Sequence, residues 1–327
     1  MKKILIIRFS SIGDIVLTTP VIRCLKTQLP DAEIHYLTKK QNDPLLRINP
    51  YLDKIWLYDG DFRELLPRLK AEKFDFIADL HKNLRSGYVL LNLRKPFGSF
   101  TKLNFRKWVI VNFRIDLLPR ISIVDRYFEA VGSLGITNDR NGLDYFIPPG
   151  EEVSLSMFPP GFGQGFIAFV IGGKHTTKIL PEDKVVEICH GAMRPVVLLG
   201  GKEDKDRAER IAARIGSAVF NGCGCFTISQ SASVIRQAGM VITNDTGLMH
   251  IAAAFGKKIF SIWGNTVPEF GMFPYLEGHP DTGSEVFEVK GLSCRPCSKI
   301  GFEKCPKAHF RCMNDQDTGA MIRGLNQ

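Results

Sequence analysis

Met240-Val241-Ile242-Thr243-Asn244-Asp245-Thr246-Gly247-Leu248-Met249-His250 changes character partway along. Its first four residues form a β-rich apolar run of the kind that makes a buried strand. Asn244 to Gly247 are polar or small. Ile251-Ala252-Ala253-Ala254-Phe255 then reads as a helix closed by Gly256. A polar cluster between a strand end and a helix start marks where open α/β sheets take their ligands. Free backbone N–H groups and the positive end of the helix dipole favour a phosphate there. Gly247 lets the backbone approach a ligand, Thr246 adds a hydroxyl donor, and His250 lies one turn further on. For Asp245 or Thr246 taken singly, a helix N-cap is an equally good use.

Working outward, short β-rich runs alternate with helical patterns. Strands are predicted at residues 4–8, 33–37, 54–58 and 74–79, with helices at 15–28, 61–71 and 124–134. Residues 144–150 contain Pro148 and Pro149, which forbid a helix and suit an interdomain connection. The alternation then restarts, with strands at 166–171, 195–199, 240–243 and 258–262 and helices at 182–191, 205–215 and 227–238. Such alternation predicts parallel sheets with helices on both faces. A chain of 327 residues is comfortable as two domains, here 1–148 and 149–327.

The first strand, Lys3-Ile4-Leu5-Ile6-Ile7-Arg8, runs into Phe9-Ser10-Ser11-Ile12-Gly13-Asp14. The G-x-G-x-x-G dinucleotide fingerprint is missing, and a carboxylate at Asp14 would repel a pyrophosphate. A general base beside a substrate hydroxyl fits better. On the local pattern alone, a helix cap at Asp14 or Ser11 is the better reading.

Arg8 to Asp14 with Thr18-Thr19-Pro20, together with Asn244 to His250, resembles glycosyltransferase family 9, which contains the ADP-heptose:lipopolysaccharide heptosyltransferases. The likeness spans almost the whole chain, with the segments 172–181, 198–203 and 294–312 in the expected order. The resemblance implies an α/β chain of GT-B architecture, with two Rossmann-like doubly wound domains facing a central cleft. It also implies an inverting transfer of heptose from ADP-heptose to the lipopolysaccharide inner core.

Two further loops acquire roles through that resemblance. Gly172-Gly173-Lys174-His175-Thr176-Thr177-Lys178 follows a strand, and its glycines and basic and hydroxyl residues suit phosphate, although it is not a Walker loop. The family's lysine before the Leu-Pro step contacts the donor diphosphate, and Lys178 matches it. In Leu198-Leu199-Gly200-Gly201-Lys202-Glu203-Asp204, a carboxylate suits a ribose diol. Glu203 takes that role by resemblance, with Asp204 as a competitor and helix capping as the alternative for both. The implied site thus has Asp14 as base. Lys178, Asp245, Thr246 and Gly247 lie at the diphosphate, Glu203 at ribose, and His250 supports the turn. Cationic groups stabilise the leaving diphosphate, so no cofactor or metal is expected for catalysis.

Composition sets the partners. Net charge is +9, of which residues 1–150 carry +8. Residues 82–126 hold ten basic residues and two acidic ones, interleaved with Phe97, Phe100, Phe105, Trp108 and Phe113. Such a field attracts an acidic partner, and basic with aromatic residues suits a lipid headgroup boundary. Arg85, Lys102 and Arg106 are the candidates to receive an anionic lipopolysaccharide precursor; a merely solvated basic surface is the bland alternative. No nucleic-acid-binding signature is present, and no protein partner is implied. Lys2 and Lys3 precede only four apolar residues before Arg8, too few for a signal-peptide core. A cytoplasmic protein, peripheral at the cytosolic face of the inner membrane, is expected.

Cys294, Cys297, Cys305 and Cys312 form C-x2-C-x7-C-x6-C. The first pair has ligand-like spacing, but the x7 and x6 spacings match no standard ribbon, so free cysteines are the first reading and a structural zinc at the four thiolates the alternative. His279 and His309 read as surface or core residues. Two other functional classes also fit a doubly wound fold: a nucleotide-dependent oxidoreductase, against which the missing glycine fingerprint counts, and a non-catalytic nucleotide-sugar-binding protein, against which Asp14 counts.

Overall fold

A computed structural model describes residues 2–327. Five parallel strands form the first sheet: β1 (Lys3–Ile7), β2 (Glu33–Lys39), β3 (Lys54–Tyr58), β4 (Phe76–Asp79) and β5 (Phe97–Ser99), in the order β3-β2-β1-β4-β5. Six more form the second: β6 (Ile167–Val170), β7 (Val196–Leu199), β8 (Val219–Asn221), β9 (Met240–Asn244), β10 (Lys258–Trp263) and β11 (Ser284–Glu288), in the order β11-β10-β9-β6-β7-β8. Every pairing is parallel. In both sheets the order reverses once, beside β1 in the first and beside β6 in the second. At such a reversal two adjacent crossovers leave in opposite directions, and the carboxyl ends of the strands there open into a crevice.

The helices are α1 (Ile12–Val16), α2 (Thr19–Gln28), α3 (Leu65–Ala71), α4 (Leu84–Leu93), α5 (Asn104–Phe113), α6 (Ile123–Tyr127), α7 (Glu182–Gly191), α8 (Lys205–Ile215), α9 (Ile228–Gln237), α10 (Gly247–Ala254), α11 (Arg311–Asn314) and α12 (Thr318–Leu325). The helix predicted over 15–28 is two helices. Pro20 begins the second, and the Thr18 and Thr19 hydroxyls donate to the Ile15 and Val16 carbonyls, ending the first. The helix predicted over 124–134 shortens to α6 followed by 3-10 turns at Phe128–Ala130 and Gly132–Leu134. Helices α4 and α5, in the basic stretch, were not anticipated. Both expose large apolar side chains, among them Leu84, Leu91 and Phe105, so their burial pattern lacks a clean apolar stripe.

Two compact units result: residues 2–102, Ile121–Pro148 and Glu277–His279 in one, and Leu103–Arg120, Pro149–Leu276 and Pro280–Gln327 in the other. A single cut at residue 148 therefore does not describe the partition. Segment Leu103–Arg120 belongs with the second unit because Ile110 and Leu118 bury themselves against Val267 and Phe270. Arg114 adds hydrogen bonds to the carbonyls of Ser293 and Cys294 at 2.8 and 3.1 Å. The core of the first unit gathers Leu5, Ile7, Leu37, Trp56 and Ile77; that of the second gathers Ile167, Phe169, Ile242, Phe260 and Met313. Among the described residues no helix is long and apolar enough to cross a membrane.

Candidate active site

In the second unit, the loops after β6 and β9 leave adjacent strand ends at the point where the strand order reverses. Asn244 ties them together. Its side chain is fully buried, its amide nitrogen donates to the carbonyls of Ile171 and Gly172 at 2.9 and 3.1 Å, and its oxygen accepts the Leu180 N–H at 3.2 Å. Asp245 is held next to it. Its Oδ2 pairs with Lys178 Nζ at 2.5 Å and accepts the Thr266 hydroxyl at 2.9 Å. Asp245 is thus not a helix cap but the anchor that sets the Lys178 ammonium. Thr266, at the end of β10, was not anticipated; its partner is 21 residues away in sequence. Lys178 closes a 3-10 turn, Thr176–Lys178, which Thr177 pins by exchanging hydrogen bonds with the backbone of Phe302.

Thr246 is the N-cap residue of α10 and Gly247 its first residue. The Thr246 hydroxyl makes no capping bond and stands 3.3 Å from Thr243 Oγ1, so the first N–H groups of the helix receive no side-chain cap. Uncapped helix N–H groups and a lysine are the kinds of group that suit an anion. His250, on α10, is 2 % exposed. His175, on the lysine's own loop, is kept from protonating by burial and then by Lys178 and Lys174.

After β7, the two carboxylates part company. Asp204 is buried, accepts the Gly201 N–H at 3.0 Å and fills the space over Gly172 and Gly200, where a Cβ would collide with it. Burial pushes its carboxyl up, outweighing the Gly201 hydrogen bond and Arg207. Glu203 is exposed and rests its carboxylate over Gly201. Asp204 thus holds the loop, and Glu203 faces solvent.

In the first unit, the strand order reverses at β1 and β4. Asp14 sits at the third position of α1 and uses both oxygens. Oδ2 accepts the Ser11 N–H at 3.0 Å and the Ser11 hydroxyl at 2.7 Å, which is a capping interaction. Oδ1 pairs with Arg8 Nη2 at 2.5 Å. Arg8, which the sequence reading left without a role, is 8 % exposed and also donates to the carbonyls of Leu80 at 2.5 Å and Ser10 at 2.7 Å. Burial pushes the Asp14 carboxyl up, but Arg8 and then Ser11 outweigh it and hold the group below its ordinary value. Asp14 is therefore ionised at neutral pH, with its side chain 21 % exposed.

His81, from the loop after β4, packs edge-on against Phe9 with ring centroids 5.5 Å apart. Burial, then Arg8 and Lys102, lower it to about 3, so it is neutral. Arg85 acts on it as well. Burial and the charge of Arg8 also pull Lys102 below its ordinary value, opposed by Asp79 and Asp14. Arg85 and Lys102 thus belong to a field of cations around Asp14 and His81. Arg106, on α5 in the second unit, donates to the Leu117 carbonyl at 3.3 Å.

All eight cysteines are free thiols. Cys312 is buried, Cys294, Cys297 and Cys305 are half-buried, and Cys294 Sγ stands 3.7 Å from His309 Nε2.

Comparison with known proteins agrees with this geometry. The chain is 23 % identical to lipopolysaccharide heptosyltransferase 1 of Pseudomonas aeruginosa over 327 aligned residues, covering 91 % of this chain and 86 % of the relative. Its fold matches a family 9 glycosyltransferase from Veillonella parvula DSM 2008, with a TM-score of 0.78 and 21 % identity over 99 % of this chain and 96 % of the other. It also matches the ADP-heptose lipopolysaccharide heptosyltransferase II of E. coli, with a TM-score of 0.71 and 21 % identity over 100 % and 98 % of the two chains. Both matches span the two parallel-sheet units, and the fold is GT-B. The model for glycosyltransferase family 9 (heptosyltransferase) matches residues 62–284, more than half of the sequence, and the chain belongs to that family.

Proposed function

We propose that this chain is an inverting heptosyltransferase that moves heptose from ADP-heptose to a lipopolysaccharide core acceptor. The observation that carries the donor half is the Lys178–Asp245–Thr266 group beside the uncapped start of α10. It offers one ammonium and several N–H groups to a diphosphate. The names of the P. aeruginosa and E. coli relatives, which specify heptose, ADP-heptose and lipopolysaccharide, support the choice of sugar, nucleotide and acceptor.

In this reading the donor's diphosphate takes Lys178 from Asp245 in part, and Asp245 keeps the lysine aimed. Thr246 and the N–H groups at Gly247 receive phosphate oxygens, Glu203 accepts from the ribose hydroxyls, and His250 packs the turn from below. The acceptor hydroxyl oxygen attacks the anomeric carbon from the face opposite the diphosphate. The new C–O bond forms as the bond to the phosphate oxygen breaks, and the electron pair leaves with ADP. Asp14 takes the hydroxyl proton. Lys178 and the helix N–H groups stabilise the charge that develops on the leaving phosphate. Arg8 and Ser11 hold Asp14 ionised and in place, while Arg85 and Lys102 attract acidic groups of the acceptor.

Helix α5 supports a peripheral membrane location. Phe105, Trp108 and Phe113 stand exposed on it, and its cations include Arg106 and Lys107. Aromatic rings with interspersed cations suit an anionic headgroup layer. Binding of full-length chain to vesicles with and without anionic lipid, for wild type and Trp108→Ser, tests this: equal binding to both vesicles refutes it.

The donor reading is tested by a thermal-shift panel of ADP-, GDP-, UDP- and CMP-linked sugars, followed by ADP release with and without acceptor. Stabilisation by the ADP-linked sugar with acceptor-dependent ADP release is the expected result. Stabilisation by a different nucleotide class alone overturns the choice of donor.

A further inference from the structure

Between the end of β11 at Glu288 and the start of α11 at Arg311, residues 289–310 contain neither helix nor strand. So long an irregular stretch inside a compact unit is uncommon and needs another source of order. One buried side chain in it, Arg295, supplies part of that order. It is 7 % exposed and pairs through Nη2 with Glu288 Oε2 at 2.7 Å. Glu288 is the last residue of β11 and lies opposite Trp263, the last residue of β10, in the parallel ladder. The guanidinium is therefore anchored to the end of the sheet and not only to its own irregular segment.

What Arg295 holds is the backbone that leaves β10. Its Nε donates to the Gly264 carbonyl at 2.6 Å, and its Nη2 to the Thr266 carbonyl at 3.0 Å. The carbonyl between them, that of Asn265, accepts the Cys297 N–H at 3.1 Å. The Trp263 carbonyl accepts from the Gln316 side chain at 3.2 Å. Four consecutive carbonyls are thus taken, two of them by one planar fork. A lysine offers a single ammonium and cannot hold two carbonyls in a fixed plane. The loop also has little slack. A Cβ at Gly264 would stand 2.8 Å from the Thr177 carbonyl oxygen and 2.7 Å from Met313 Cε.

Thr266 carries that order to the donor residues. Its hydroxyl donates to Asp245 Oδ2 at 2.9 Å, and the same oxygen pairs with Lys178 Nζ at 2.5 Å. The place of the hydroxyl follows from the place of the backbone at 266. A diphosphate that draws on the Lys178 ammonium weakens the Asp245 ion pair and repels the carboxylate. The Thr266 hydroxyl is then the bond that keeps Asp245 from turning away. Arg295 brings no net charge to this group, because Glu288 offsets it at 2.7 Å. Its effect on an anion must therefore pass through the position of Thr266.

On the reading that this group binds the donor diphosphate, we propose that Arg295, locked by Glu288, is a positioning residue for it. Arg295 fixes the backbone of residues 264–266, the Thr266 hydroxyl then holds Asp245, and Asp245 aims Lys178.

The test is a double-mutant cycle on the full chain, read by calorimetric binding of ADP and by donor and acceptor KM. Arg295→Lys keeps the charge and loses the fork. Thr266→Val keeps the shape and loses the hydroxyl. Each alone should weaken ADP binding by about 2–30-fold, the range for residues that act on a ligand without touching it, and should raise donor KM with acceptor KM unchanged. In the Thr266→Val background, Arg295→Lys should weaken ADP binding by less than about 2-fold more, because the path it acts through is already cut. A residue that only stabilises the fold lowers the thermal midpoint in both backgrounds and shows no such coupling. If Arg295→Lys does not fold, Glu288→Gln, which unlocks the guanidinium, takes its place in the same cycle. Losses that multiply in full, or wild-type ADP affinity in the single variant at Arg295 or Glu288, overturn the proposal. Lys178→Ala separates this from the donor reading. If it weakens ADP binding while the cycle is additive, the donor reading stands and the role of Arg295 falls. If it leaves ADP affinity unchanged, the donor reading falls and takes the role of Arg295 with it.

Discussion

Asp14→Asn removes one negative charge and almost no volume, and the structure separates its consequences. The carboxylate binds Arg8 Nη2 at 2.5 Å through one oxygen and Ser11 through the other. A hydrogen bond to a charged group contributes about 1.5–3 kcal/mol. The full cost of breaking a buried pair, about 3–5 kcal/mol, does not apply. Arg8 keeps the carbonyls of Leu80 and Ser10, Asp14 is 21 % exposed, and Asn still offers an oxygen. At about 2–4 °C per kcal/mol, the thermal midpoint should fall by roughly 3–12 °C. Loss of a general base should lower turnover by about 10²–10⁴-fold, equivalent to about 3–5.5 kcal/mol of barrier. ADP affinity should hardly change. Calorimetric ADP binding and acceptor-dependent ADP release, both well below the variant's midpoint, separate fold from chemistry. Turnover within a few-fold of wild type, with the midpoint lowered as expected, would falsify the base assignment and leave Asp14 as a cap and an ion-pair partner. The pH dependence has a fixed sign. Burial raises the Asp14 carboxyl, but Arg8 and Ser11 outweigh it, so the folded value lies below the ordinary 3.8. The unfolded chain then binds this proton more tightly. The stability from the pair is present above about pH 3.8 and is lost as pH falls through the lower folded value. Asp14 accordingly gives kcat/KM no acid limb near pH 6, and a limb there with an acceptor lacking titrating phosphates refutes a depressed base.

Lys178→Ala should weaken ADP and intact donor binding by about 10–100-fold through loss of a charge-assisted contact, and should slow transfer as well; unchanged calorimetric affinity removes Lys178 from the site. Glu203→Gln should weaken donor binding with no change in thermal midpoint, whereas Asp204→Ala should lower the midpoint, by leaving the Gly201 N–H unpaired and a void over Gly172, with donor affinity kept. The reverse pattern in calorimetry and thermal melts would exchange their roles. Neutralising Arg85 and Lys102 together should raise the acceptor KM, with an effect that shrinks as salt rises because exposed charges are screened beyond about 8–10 Å. Steady-state kinetics at two salt concentrations checks this, and normal acceptor kinetics at low salt would reduce the pair to a solvated surface.

Much of the fold was legible because its signals are local. A buried strand such as β1 or β9 needs only a run of apolar residues, and helices α7 and α8 began and ended where the pattern of apolar and breaking residues put them. The alternation of such runs forces parallel sheets, and parallel sheets present their loops at the carboxyl ends of the strands. So residues 244–247, 172–178 and 8–14 could be singled out before any coordinates. Helices α4 and α5 escaped because Leu84, Leu91, Phe105 and Trp108 stay exposed; a pattern that assumes apolar residues go inside cannot read them.

What tertiary structure decided were the partnerships between distant residues and the fate of neighbouring ones. Lys178 meets Asp245 across 67 residues, and Arg8 meets the Leu80 carbonyl across 72. Each meeting depends on which strands lie side by side, and strand order is set by crossovers that no local pattern records. Glu203 and Asp204 are alike in sequence, yet the closeness of Gly172 and Gly200 sends one carboxylate inward and leaves the other to solvent. Sequence determined which kinds of group the chain brings to its strand ends, since that follows from residue type and period. Which groups touch there is a property of packing, and packing is settled by the whole chain at once.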